Sequence, residues 1–347
     1  MAHVAVERPP DTAEASWSEV PASILGGSTS SRLFRLVALV VAIGVVGWAI
    51  AAHHAVVIRA VAATTRLQPG PLLLAATGMV AVYATSSAAL AVASGIALPW
   101  RHNFAVQLAG VSANRVLPGG LGSKALHARF LARSGATGPA AVAAVLVLAA
   151  ASAVVRAVVS LIGVAFLTSR GDLRAVPLRS LTTLVWPIAA VASVGAGTAL
   201  VISLTRRLLH RDLGAGRLRQ LRLLAAELTI SLARRPGRFA VITVLFAAEQ
   251  VAYAVVFLLC VRAAGGGVGL LAGVCICWCG SLAAAAVPVG GGLGAVEVAL
   301  TTLLHGAAGM HVTAALAAVL AFRLISYWGP AIPGIATCRS LRHAQLI

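Results

Sequence analysis

Apolar runs recur along this chain at about 34–58, 72–98, 139–167, 181–204, 239–261, 266–287 and 312–337. Each exceeds the roughly 20 residues that a helix needs to cross the hydrocarbon of a bilayer. Inside hydrocarbon an isolated segment must satisfy its own backbone, so helix is the default conformation. The ten-residue alternation of a membrane β-barrel does not occur. Only 10% of the residues are charged, against about 25% in a soluble domain, so these runs do not read as the core of a large soluble protein. The expected fold class is all-α: a polytopic helical membrane protein with about seven to eight spans.

The net charge of +18 points first to topology and anionic lipid, not to nucleic acid. Lys124 is the sole lysine, and the other basic residues are arginines. Nine arginines crowd into 206–238, which the positive-inside rule places in the cytoplasm together with the N-terminus. The same loop suits anionic head groups or a docking partner. Residues 1–31 are polar, contain Pro9-Pro10 and four acids, and read as a disordered cytoplasmic tail. The helical domain follows over 32–338, and 339–347 is a short tail. The first apolar run begins too late and runs too long for a signal peptide. A multi-pass protein of the cytoplasmic (inner) membrane is expected.

Two apolar segments, 103–133 and 289–310, are too short or too broken to span. The first contains Pro118, Gly119, Gly120 and Gly122, and the second Gly290, Gly291, Gly292 and Gly294. Non-helical backbone at membrane depth persists only where protein or a wet cavity covers it. Both segments are therefore expected to be glycine-hinged, re-entrant or interfacial elements lining one cavity. They also resemble each other. GGLG occurs at 119–122 and 291–294, and AAVAAVL at 140–146 matches AALAAVL at 314–320. Repeats with broken helices at corresponding positions point to a transport site.

Charges embedded in apolar sequence are costly and mark function. Glu297 lies in the first turn after the second glycine break, where free N–H groups and the helix dipole favour a carboxylate. It reads either as a stabilised helix start or as a cavity carboxylate that meets a cation or exchanges a proton. Arg323 and Glu249 are the two deepest charges in the chain. Arg323 can pair with Glu249 or with Glu297 in a structural bridge, or its planar fork can hold a lipid phosphate. Arg156 lies in a run long enough for it to snorkel to an interface. Residues 114–135 offer Asn114, Lys124, His127, Arg129 and Arg133. They form either a basic amphipathic helix at the interface or a site for anionic head groups, with Lys124 and Arg129 as phosphate contacts.

The CICWC at 275–279 places three thiols around a helix with no histidine or acid nearby, which reads as packing, not as a metal site. No zinc-protease, P-loop or serine-nucleophile pattern occurs, so neither an enzyme nor a metal or other cofactor is expected.

At GGLGAVE (291–297), in the span around Arg323, at YWGPAIPG (327–334) and at NRVLPGGLG (114–122), the sequence resembles the membrane domain of lysylphosphatidylglycerol synthases and its stand-alone, flippase-like relatives. The resemblance covers about 33–338. It implies a domain that moves aminoacylated phospholipids or other lipids between leaflets. Gly291, Gly292, Gly294, Glu297 and Arg323 match the family pattern, as do Asn114, Pro118 and Gly122. Lys124 and His127 stand roughly where the family often has an acid and then an arginine, which reverses the local charge. Gly290 replaces a proline common before the second GGLG. Only a short tail follows the last span, so the transferase domain of the full synthases is not expected. The reading is a lipid or lipid-linked head-group translocator whose partners are anionic or head-group-modified membrane lipids, with no nucleic acid. A proton-coupled small-solute transporter and an accessory subunit of a lipid- or glycan-modifying enzyme are the alternatives.

Overall fold

The computed structural model describes residues 54–116, 121–169, 236–286 and 294–347, and throughout these the chain is helical where it is regular. The expected tail at 1–31, the spans at about 34–58 (apart from its last residues) and 181–204, and the arginine-rich loop lie outside the described residues.

In chain order the helices are α1 (His54–Thr64), α2 (Pro69–Ser94), α3 (Trp100–Val116), α4 (Leu121–Arg133), α5 (Gly138–Ser169), α6 (Pro236–Ala263), α7 (Leu270–Ala286), α8 (Ala295–Gly306) and α9 (Val312–Arg323). A π-helical segment (Leu324–Trp328) and α10 (Ala331–His343) complete the order. Prolines and glycines set the boundaries. Proline opens α2 and α6, where a missing N–H costs nothing. Gly95 closes α2 in the left-handed conformation with φ 67°, its N–H bonding Ala91 O.

Among the described residues, four helices are long and apolar enough to cross a membrane: Pro69–Ser94, Gly138–Gly163, Gly237–Ala263 and Val312–His343. They correspond to four of the seven expected runs. The fifth described run, at 266–287, forms the shorter helix α7, because its glycine-rich start, with Gly265 at φ 80°, stays outside the helix. Leu73, Val80, Val158, Leu161, Ile162 and Val244 point outward along these helices, each at least half exposed, as expected of side chains that face acyl chains.

The order of helix lengths repeats. The series α2, α3, α4, α5 has 26, 17, 13 and 32 residues. The series α6, α7, α8 has 28, 17 and 12, and the continuous span from Val312 to His343 has 32. The GGLG and alanine-rich matches in the sequence fall at equivalent places in the two series. Each series contributes most of one apolar core. One core gathers Leu90, Val106, Phe130, Leu131 and Ala144, closed by Leu341. The other gathers Phe257, Ile276, Leu300, Leu304 and Phe322. Helices α2 and α6, which head the two series, pack along each other.

The cysteines behave as small apolar residues. Cys260, Cys275, Cys277 and Cys279 are free and buried in the second core. Glycine permits the close crossing of α5 over α7, since a Cβ at Gly163 would sit 3.3 Å from Cys279 Sγ.

Candidate functional site

The structure makes a choice among the deep charges that the sequence left open. Arg323 Nε donates to Glu297 Oε1 at 2.7 Å, and the two side chains retain only 7% and 18% of their exposure. Glu249 is not part of this pair.

Each partner is delivered by a local irregularity. Gly294 adopts φ 85°, which a side chain would resist, and so turns the chain into α8. Glu297 is then the third residue of the helix, and its Oε2 accepts from the Gly294 N–H at 2.7 Å. This is the returning half of a capping box. One oxygen of Glu297 stabilises the helix start and the other meets the Arg323 cation.

Arg323 ends α9, and the helix widens immediately after it. Pro330 has no N–H, and its ring would press on the carbonyl four residues back. The Gly329 N–H instead bonds Leu324 O at 2.6 Å, a five-residue step that defines the π segment. Such segments occur often at functional sites. This one places Tyr327 beneath the guanidinium, with Arg323 Cζ 4.2 Å from the ring centroid. Ser326 Oγ turns back to Phe322 O at 2.7 Å. Across the interface Tyr253 of α6 packs edge-on against Phe322, with centroids 5.1 Å apart, and its hydroxyl approaches Ser326.

Glu249 occupies a different position. Its Oε2 accepts from Ser86 Oγ of α2 at 2.7 Å. Arg156 of α5 acts electrostatically on Glu249 from longer range, and also on Lys124 and Tyr253. Arg156 itself is exposed, as its expected reach toward an interface requires.

The first glycine motif serves packing. Asn114 Oδ1 accepts from the Ser123 N–H at 2.8 Å, so it braces the first turn of α4. Gly122 lies within α4, where a Cβ would come 2.5 Å from the Ala113 backbone. At Gly122 the structure shows a close helix crossing. Pro118, Gly119, Gly120, Gly290, Gly291 and Gly292 lie outside the described residues. On α4, Lys124 is half-buried and Arg129 is exposed. Burial first, and then repulsion from Arg156, lowers the Lys124 pKa. Burial pushes His127 down to about 4, and its Nε2 has no hydrogen-bond partner among the described residues.

Sequence reasoning missed Tyr327, Ser326, Tyr253 and Ser86. Tyr327 was recoverable, since it lies four residues beyond Arg323 and the two share a helix face. The other three carry no charge or spacing that sets them apart.

The arrangement offers a guanidinium held between a carboxylate and an aromatic face within a helical membrane bundle. It can exchange one oxyanion for another, because carboxylate and phosphate suit the same planar fork. One family model, described as the lysylphosphatidylglycerol synthase TM region, matches residues 35–334. No curated protein matches the chain.

Proposed function

The chain belongs to the lysylphosphatidylglycerol synthase TM region family, and on that premise we propose that it binds a phospholipid or lipid-linked head group and moves it between leaflets of the cytoplasmic membrane. The observation that carries this reading is the buried Arg323–Glu297 pair, set in a spanning helix beside Tyr327 and a π segment. A purely structural bridge needs no such neighbour. A lipid phosphate that displaces Glu297 at Arg323 gives the cargo a midway binding station, and the returning carboxylate releases it.

In this reading the glycine-flanked helices α4 and α8 are the re-entrant elements within a bundle of seven to eight spans, and the N-terminus is cytoplasmic. Lys124 and Arg129 receive anionic head groups at the cytoplasmic side. The protein catalyses no reaction of its own, and a lipid-modifying enzyme supplies the cargo.

The test is leaflet exchange of fluorescent phospholipids in liposomes that contain the purified protein. Exchange above that of protein-free liposomes, lost in Arg323→Gln at matched insertion, supports the reading. Exchange equal to protein-free liposomes across zwitterionic, anionic and aminoacylated lipids refutes it.

A further inference from the structure

The second intramembrane carboxylate is built differently from the first. Both oxygens of Glu297 are engaged by N–H donors, Arg323 Nε and the Gly294 N–H. Glu249 has one hydrogen bond, to the neutral hydroxyl of Ser86, and no ion pair among the described residues. It lies near the centre of α6, a helix long and apolar enough to span.

A carboxylate in hydrocarbon without a contacting cation costs several kcal/mol, and protonation removes that cost. The partner chosen by the fold suits both states. A serine hydroxyl donates to a carboxylate and accepts from a carboxylic acid, so the Ser86–Glu249 bond survives gain or loss of the proton with only a reversal of donor and acceptor.

Glu249 also lies on the helix that packs against the ion-pair site. Tyr253 follows it by one helical turn on α6, and the Tyr253 hydroxyl reaches Ser326 in the π segment after Arg323. Its ring rests on Phe322, the neighbour of Arg323. Glu249 thus lies one turn from a residue that packs beside the end of α9. The titratable and charged groups on the surrounding elements are Tyr83 of α2, Arg156 of α5, the thiols of Cys275, Cys277 and Cys279 on α7, and Arg323 at the end of α9, with Tyr253 on the same helix. Arg156 is the cation whose field reaches Glu249.

We propose that Glu249, with Ser86 as its two-way hydrogen-bond partner, is a proton-exchange site that couples head-group passage to the proton gradient. A proton from water on one side forms the O–H bond of the Glu249 carboxylic acid. Its release to water on the other side restores the carboxylate facing Arg156. This inference rests on the lipid-translocation reading.

The experiment uses the full chain in liposomes of phosphatidylglycerol and phosphatidylethanolamine, with two readouts. Infrared difference spectra across a pH step report the protonated carboxyl group. Fluorescent-lipid exchange is measured with and without an imposed pH gradient. One pH unit is a tenfold ratio of proton activity, so wild-type exchange is expected to change by up to about tenfold per unit. Glu249→Gln is expected to lack the carboxyl signal and to exchange lipid at a rate independent of the gradient. Ser86→Ala is expected to keep the carboxyl signal at a shifted frequency, and it serves where Glu249→Gln does not insert. A carboxyl signal that persists in Glu249→Gln or fails to move in Ser86→Ala overturns the proposal, as does wild-type exchange blind to the gradient. If the wild type moves no lipid at all, the translocation reading fails. The infrared signal then decides separately whether Glu249 takes up a proton, and the coupling to lipid is overturned.

Discussion

Glutamine at position 297 keeps the shape of glutamate but has one acceptor oxygen where the glutamate uses two. That oxygen can serve Arg323 Nε or the Gly294 N–H, not both. Removing one partner of a buried ion pair costs about 3–5 kcal/mol, because the remaining charge stays desolvated. An oxygen that turns to Arg323 instead gives up the cap bond, worth about 1 kcal/mol. Glu297 keeps 18% of its exposure and Arg323 keeps the Tyr327 ring, which places the expected loss near the lower end, about 3 kcal/mol. The assay is equilibrium unfolding by a denaturing detergent titrated into mild micelles, run as a double-mutant cycle with Arg323→Gln. The double variant is expected to be no less stable than either single one, with a coupling of at least about 3 kcal/mol. Exchanging the two charges should rescue only in part, since an arginine at 297 would face the N-terminal end of the α8 dipole and leave the Gly294 N–H without its acceptor. Strictly additive single effects, or a Glu297→Gln variant as stable as the wild type, would refute the reasoning.

Arg323→Lys keeps the charge and loses the planar fork, so unfolding should recover most of the stability lost in Arg323→Gln while lipid exchange in liposomes stays well below wild type. A Cβ at Gly334 would overlap the Leu108 carbonyl and the Ser112 hydroxyl where α10 crosses α3, so Gly334→Ala should destabilise by about 1–3 kcal/mol, seen as lower folded yield in detergent. The neutral His127 confers acid sensitivity. Its folded pKa, about 4, lies below its ordinary value of 6.5, so its contribution is present above pH 6.5 and is lost as pH falls from there toward 4. Between pH 7 and 5 the loss is about 2 kcal/mol, and His127→Leu should flatten that part of the unfolding profile; an unchanged slope would contradict the assignment.

Four spans were legible in the sequence because a run of about 20 apolar residues has few other uses. The depth of Arg323 was legible for the same reason, and Glu297 at a helix start followed from the glycine break before it. What sequence does not carry is the rotational setting of one helix against another. Depth alone allowed Arg323 to meet Glu249 or Glu297, and only the packing of α8 against α9 decides it. Glycine is ambiguous in the same way. Gly294 supplies a positive φ, whereas Gly122 supplies a close crossing onto Ala113, and both sit in the same four-residue motif. The π segment depends on Pro330 acting on a helix already committed to carry Arg323, which hydropathy does not register. The polar role of Ser86 is invisible for a simpler reason: serine is common in such helices, and only its 2.7 Å bond to Glu249 sets this one apart.

The central claim is that a lipid head group occupies the guanidinium of Arg323 during passage. Photo-crosslinking with a phospholipid that carries a photoreactive group at the head group tests it directly, by mapping the adducts on the wild-type protein and on Arg323→Gln. The account predicts adducts concentrated in the peptide from Val312 to Gly334 and in α8, competed by unlabelled anionic lipid and lost in Arg323→Gln. Adducts confined to the outward-facing residues Leu161, Ile162 and Val244, and unchanged in that variant, would contradict it.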